Sequence, residues 1–116
     1  MPCVNISVLS KAKFQGDFNI ETLKQALLTI PGVMGGVQDM GDKRIRTGVN
    51  IAGRIEEVTI VVQNNDLFIS GVGCEYITRK VPQHYNALVQ TQILRKMGFN
   101  TKVEVRGENI MVQAVK

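Results

Sequence analysis

Apolar residues alternate with polar ones at Val4, Ile6 and Val8, with Asn5 and Ser7 between them, which is the period of a strand with one buried face. The stretch from Ser10 to Asp17 loses that period and carries turn residues, so it reads as a connection. Ile20, Leu23, Leu27 and Ile30 then fall on one stripe of a helix, with Ala26 beside it. Asn19 is placed to cap this helix, Phe18 to staple against Leu23, and Pro31-Gly32 to stop it. Glycines at 32, 35, 36, 41, 48 and 53 punctuate the next segment and weaken any strand there. The pattern predicts a short strand from Val33 to Val37, a mobile loop, and an edge strand from Thr47 to Ala52. Glu57–Val62 and Leu67–Val72 are rich in β-branched and large apolar residues, and the polar Gln63-Asn64-Asn65-Asp66 between them predicts a hairpin.

Residues 74–80 read as extended, or as turning outward, before a second helix that starts at Pro82, where a missing N–H does no harm. Tyr85, Leu88, Val89, Ile93 and Met97 give this helix a buried stripe. Gly98 and Phe99 predict a Schellman ending in which Phe99 meets Leu94, and Arg95 and Lys96 complement the negative end of the dipole. Two strands, Lys102–Val105 and Ile110–Val115, follow across the turn Arg106-Gly107-Glu108-Asn109. The order is β-α-β-(β)-β-β-α-β-β. The economical packing is an α+β fold, a mainly antiparallel sheet with two helices on one face and the last hairpin in the same sheet, ferredoxin-like in the broad sense. The chain reads as one domain, 1–116, with a single modest core.

Composition narrows the class. Hydrophobic residues make up 44% of the chain without one Trp, so the core is aliphatic. Fourteen Lys and Arg against ten Asp and Glu give a mild net charge of +4, spread through most segments, which is ordinary solubility electrostatics rather than a nucleic-acid footprint. No basic leader opens the sequence and no run of about 18 apolar residues occurs, so neither secretion nor a membrane is expected. Cys3 and Cys74 are far apart, and neither has the second cysteine that a redox motif or a zinc site needs. A reduced, cytoplasmic setting follows.

Candidate chemistry is sparse. His84 is the single histidine, and with Cys74 and Tyr76 upstream across the expected bend it forms a conceivable reactive or rim group. Gly32-Val33-Met34-Gly35-Gly36 lacks the Gly-Lys-Ser/Thr ending of a phosphate loop and follows a helix rather than preceding one. Lys43, Arg44, Arg46 and Arg54 are the densest basic group, but Asp39 and Asp42 adjoin them and no aromatic is interleaved for stacking. Glu56 and Glu57 point to opposite sides of a strand and make no dyad. The sequence thus predicts no catalytic set, no metal and no cofactor. The leading expectation is a non-catalytic module that binds a protein partner or itself through a sheet edge or the glycine-rich segment. The alternative is nucleic-acid or nucleotide-phosphate binding through segment 41–54, and a third reading is a Cys74/His84 enzyme.

Tyr85-Asn86-Ala87 through Leu94 to Gly98-Phe99, then Val103-Glu104 and Ile110-Met111-Val112, resembles the C-terminal half of an uncharacterised family of small proteins. That family occurs in cyanobacteria, in algal plastid genomes as a hypothetical chloroplast reading frame, and in other bacteria and phages. The chain departs from it in starting Pro2-Cys3-Val4 where the family has Ser-His-Phe, and in lacking the family's central tryptophans. The resemblance implies the same element order and an intracellular setting, cytoplasm or plastid stroma, and it adds no catalytic residue.

Overall fold

A computed structural model describes residues 6–14, 18–106 and 109–115. The expectations for Cys3, Val4 and the Gly107-Glu108 turn lie outside the described residues. The fold is α+β, with two helices packed against antiparallel strands. Strand β1 (Ile6–Ser10) leads through a single 3-10 turn and a connection to helix α1 (Ile20–Thr29). A meander follows: β2 (Val33–Gly41), β3 (Arg44–Ile51), β4 (Arg54–Gln63) and β5 (Asp66–Gly71). Helix α2 (Cys74–Lys96) then runs into β6 (Asn100–Arg106) and β7 (Asn109–Val115). The main sheet has the order β1-β5-β4-β3-β2, all antiparallel.

Strand alternation decides which side is covered. Leu9, Ile45, Val49, Val58, Ile60, Val62, Leu67 and Ile69 point inward and are buried under the helices, which contribute Leu23, Ala26, Leu27, Ile77, Val81 and Tyr85. Asn19 caps α1 as expected: its Oδ1 accepts from the N–H groups of Glu21 at 2.8 Å and Thr22 at 3.3 Å. The Tyr85 hydroxyl accepts from the Asn19 N–H at 2.9 Å, and its ring stacks on Phe18 and meets Phe14 edge-on, which ties the start of α1 to α2.

Several sequence expectations are corrected. The glycine-rich segment holds no mobile loop: β2 and β3 form a hairpin closed by Asp42 and Lys43, both at positive φ. Strand β3 is central and β2 is the edge. Helix α2 begins at Cys74, so Pro82 lies inside it. An interior proline costs about 3 kcal/mol, whereas burying a large aliphatic side chain contributes about 1.5–3 kcal/mol. Ile77 and Val81, fully buried upstream of the proline with Cys74, together outweigh it. Finally, β6 and β7 form a separate two-stranded sheet against α2. The 23-residue α2, about 34 Å long, therefore outruns the main sheet and gives a molecule 55 Å in its longest dimension.

The end of α2 is a Schellman motif, with Gly98 at φ +90°, the Phe99 N–H donating to Leu94 O and the Gly98 N–H to Arg95 O. The expected stripe, however, stays buried only near its start. Tyr85 is in the core, while Ile93 and Met97 are 51% and 65% exposed, with none of the described elements covering that side of the overhang. No helix among the described residues is long and apolar enough to cross a membrane.

Candidate functional site

Three features of the described surface have shape or chemistry beyond ordinary folding. The first is the outer face of the main sheet, which neither helix covers. Register places Val8, Phe68 and Val61 side by side across β1, β5 and β4, with Ile6 next to Val8's row. Ile6 and Val8 are 60% and 57% exposed. They lie on the edge strand, whose sequence Ile-Ser-Val-Leu-Ser has neither charge nor proline. Exposed sheet edges are normally blunted by charge, proline or bulges. The opposite edge, β2, has such protection: its register slips between Met34 and Val37, where Gly35 and Gly36 take φ of +77° and +78°, and again between Asp39 and Gly41.

The second feature is a hollow of about 330 Å³ on the same outer face, beside that bulge, lined in part by Met34, Gly35, Gly36, Arg46, Ile55 and Glu57. Gly35 and Gly36 leave it open, since a Cβ on either would meet nothing within 4 Å. Gly48 is tightly enclosed, since a Cβ there would sit 3.0 Å from both Ile55 Cγ2 and Met34 O. Arg46 is the cation of the hollow. Its guanidinium donates to Gln38 at 3.2 Å and lies 3.6 Å from the Glu57 carboxylate, so its charge is answered from within the sheet.

The third feature is a cleft of about 210 Å³ between α1, α2 and the β6–β7 hairpin. Ala87 and Leu88 from α2 and Val103 and Ile110 from the hairpin give it apolar walls, and Thr29, His84, Thr91 and Arg95 supply its polar groups. His84 is 5% exposed, with Nδ1 2.9 Å from Thr29 Oγ1. The Thr29 hydroxyl donates its one hydrogen to Ala26 O at 2.7 Å, which assigns the proton of the contact to Nδ1. Burial, and secondarily the Lys80 charge, lowers the imidazole below its ordinary pKa, so the ring is neutral near pH 7 and Nε2 carries a lone pair. Arg95 donates from Nε to Thr101 Oγ1 at 3.1 Å, which pins its guanidinium to β6.

The structure separates several residues that the sequence grouped. Lys43 and Arg44 sit at one end of the β3–β4 pair and Arg54 at the other, about 23 Å away along β3. With Arg46 engaged by Glu57, the four cations do not converge. Cys74 and His84 are ten residues apart on one helix, about 15 Å along its axis. Cys74 is buried and accepts a weak hydrogen bond from the Ser7 hydroxyl at 3.5 Å, and it does not meet His84. The Tyr76 hydroxyl donates to Pro31 O and fastens α2 to the end of α1. Among the described residues no cluster of His, Cys, Asp and Glu could hold a metal ion. Sequence reasoning missed the Thr29–His84 pair, because 55 residues separate the partners and no local period links them.

No family model, curated protein or solved structure matches the chain.

Proposed function

We propose that the protein is a non-catalytic binding module that pairs with a second copy of itself along β1. The observation that carries this reading is the uncharged edge Ile6–Ser10, bare among the described residues, with Ile6 and Val8 exposed beside Phe68 and Val61. Antiparallel pairing of a strand with itself is self-complementary under a two-fold axis. Here it would carry the stripe Val61-Phe68-Val8 across into the partner's Val8-Phe68-Val61. A chain of net charge +4 resists self-association where its cations meet, and β1 has none. The irregular β2 edge limits growth to two copies.

Nucleic-acid or nucleotide-phosphate binding through Lys43, Arg44, Arg46 and Arg54 has less support, because those side chains are spread along β3 and β4 and Arg46 is paired. A Cys74/His84 enzyme has less still, given the length of helix between them. Kinship with the cyanobacterial and plastid small proteins, and a cytoplasmic or stromal location, belong to the same proposal. The kinship is supported by the Schellman end of α2 at Gly98-Phe99 and the β6–β7 hairpin after it, and the location rests on that kinship alone.

The test is light scattering on a size-exclusion column at tens of micromolar protein, comparing the wild type with Val8→Lys. Val8 is exposed, so the variant keeps its fold by circular dichroism. A dimeric wild type and a monomeric variant are expected, since lysines would face each other across the two-fold. A monomeric wild type, or a dimer indifferent to the substitution, rejects the β1 interface.

A further inference from the structure

We propose that the cleft between α2 and the β6–β7 hairpin is a binding site for a small amphipathic acid, with a carboxylate held at Arg95, an apolar chain in the middle, and a hydroxyl donating to Nε2 of His84. His84 is 95% removed from solvent, and its one hydrogen-bond partner among the described residues, Thr29, is at Nδ1. No buried side-chain nitrogen or oxygen among those residues lacks a partner, so Nε2 is not sealed off from solvent, and His84 is one of the residues that line the cleft. A neutral imidazole with Nδ1–H committed presents an acceptor there and selects a ligand donor.

The other end selects an anion. The lining residues include a cation, Arg95, and no carboxylate. One of its five N–H donors goes to Thr101, which fixes the plane of the guanidinium, and that planar fork matches a carboxylate. Between the ends the walls are Ala87, Leu88, Val103 and Ile110, with the Thr91 hydroxyl turned back onto Ala87 O at 2.9 Å. That leaves an apolar path. His84 and Arg95 are eleven residues apart on α2, about 16 Å along the axis. The Arg95 side chain, held at Thr101, marks the far end of that span. A volume of about 210 Å³ is small beside most ligand pockets and suits one alkyl chain.

The two polar ends also explain the loose packing. Val103 is 49% exposed although it stands on the hairpin face that lines the cleft. Among the described side chains of the hairpin, none belongs to the main core. An alkyl chain in the cleft would cover Val103 and supply the missing contact.

The test is calorimetric titration of the full chain with ω-hydroxydecanoate, decanoate and the corresponding diol, with backbone amide shifts locating the site. Saturable binding of ω-hydroxydecanoate is expected, with shifts at Thr29, His84, Leu88 and Val103. Decanoate, which lacks the donor, should bind about tenfold more weakly, as loss of one buried hydrogen bond implies. Arg95→Gln, at an exposed position, should remove the preference for the acid over the diol. His84→Phe should erase the preference for the hydroxylated chain. The ligand comparison on wild-type protein stands even where that variant folds poorly. Absence of saturable binding at millimolar ligand, shifts confined to other surfaces, or equal affinity for all three ligands overturns the proposal.

Discussion

Gly71→Ala should be among the most damaging single-methyl additions in the protein. Gly71, the last residue of β5, faces Val58 of β4 at φ +121°, and a Cβ there would lie 2.3 Å from Glu57 O and 3.3 Å from the Val58 Cα. Both contacts are backbone, inside a central strand, so no side-chain rotation relieves them. Holding an L-residue at positive φ costs about 1–2 kcal/mol, and forcing extra volume into a packed site costs about 1–3 kcal/mol more. Gly35→Ala is the control. Its φ is also positive, +77°, but nothing lies within 4 Å of the added methyl, so only the first cost applies. The gain from restricting the unfolded chain is common to both variants and cancels. At about 4 °C per kcal/mol for a domain of this size, Gly71→Ala should lose about 8–20 °C in thermal unfolding and Gly35→Ala about 4–8 °C. Urea unfolding with an unchanged m-value supplies the second measure. Equal losses in the two variants would show that backbone conformation alone sets the cost and that the Glu57 carbonyl does not occupy the space assigned to it.

Tyr85→Phe removes the acceptor of the Asn19 N–H and should cost about 1 kcal/mol in urea unfolding, whereas Tyr85→Ala, which empties the site among Phe14 and Phe18, should cost about 3–5 kcal/mol. Asn19→Ala leaves two N–H groups of α1 without their cap and should cost about 1 kcal/mol by the same assay. His84 gives a pH dependence whose sign is fixed by burial and, secondarily, the Lys80 charge on its own helix; across α1 it meets the uncharged Thr29, and Arg95 is the other charge lining its cleft. Because the folded pKa lies below the unfolded one of about 6.5, the unfolded chain takes up the proton first. The contribution of neutral His84 is therefore complete above about pH 6.5 and is lost as pH falls toward the folded value. Urea midpoints from neutral to mildly acid pH should show this slope, and His84→Gln should flatten it.

Local signals carried far in this chain and stopped where distance or competition took over. The cap at Asn19, the Schellman residues Gly98 and Phe99, and the hairpin through Asn64-Asn65 were all legible, because each depends on a few neighbouring residues. Pro82 misled because it reads as a helix start, while Cys74, Ile77, Val81 and Tyr85 already carried a stripe through it. The β2–β3 hairpin was hidden by its glycines, and it closes through Asp42, a residue type that tolerates positive φ, and Lys43, which no turn preference announces. The exposure of Ile93 and Met97 and the contact of His84 with Thr29 depend on where whole elements end, which periodicity does not encode.

The pairing of β1 with β5 has a consequence for how the chain is made. Every other strand pair joins sequence neighbours, but Ile6 finds Ser70 across 64 residues. At roughly 5–20 residues per second of synthesis, β1 leaves the ribosome about 3–13 seconds before its partner strand exists. A β5 of another nascent chain nearby presents the same pairing edge in that interval. Translation speed and the spacing of ribosomes on the message thus become determinants of whether β1 closes its own sheet or is exchanged between two chains.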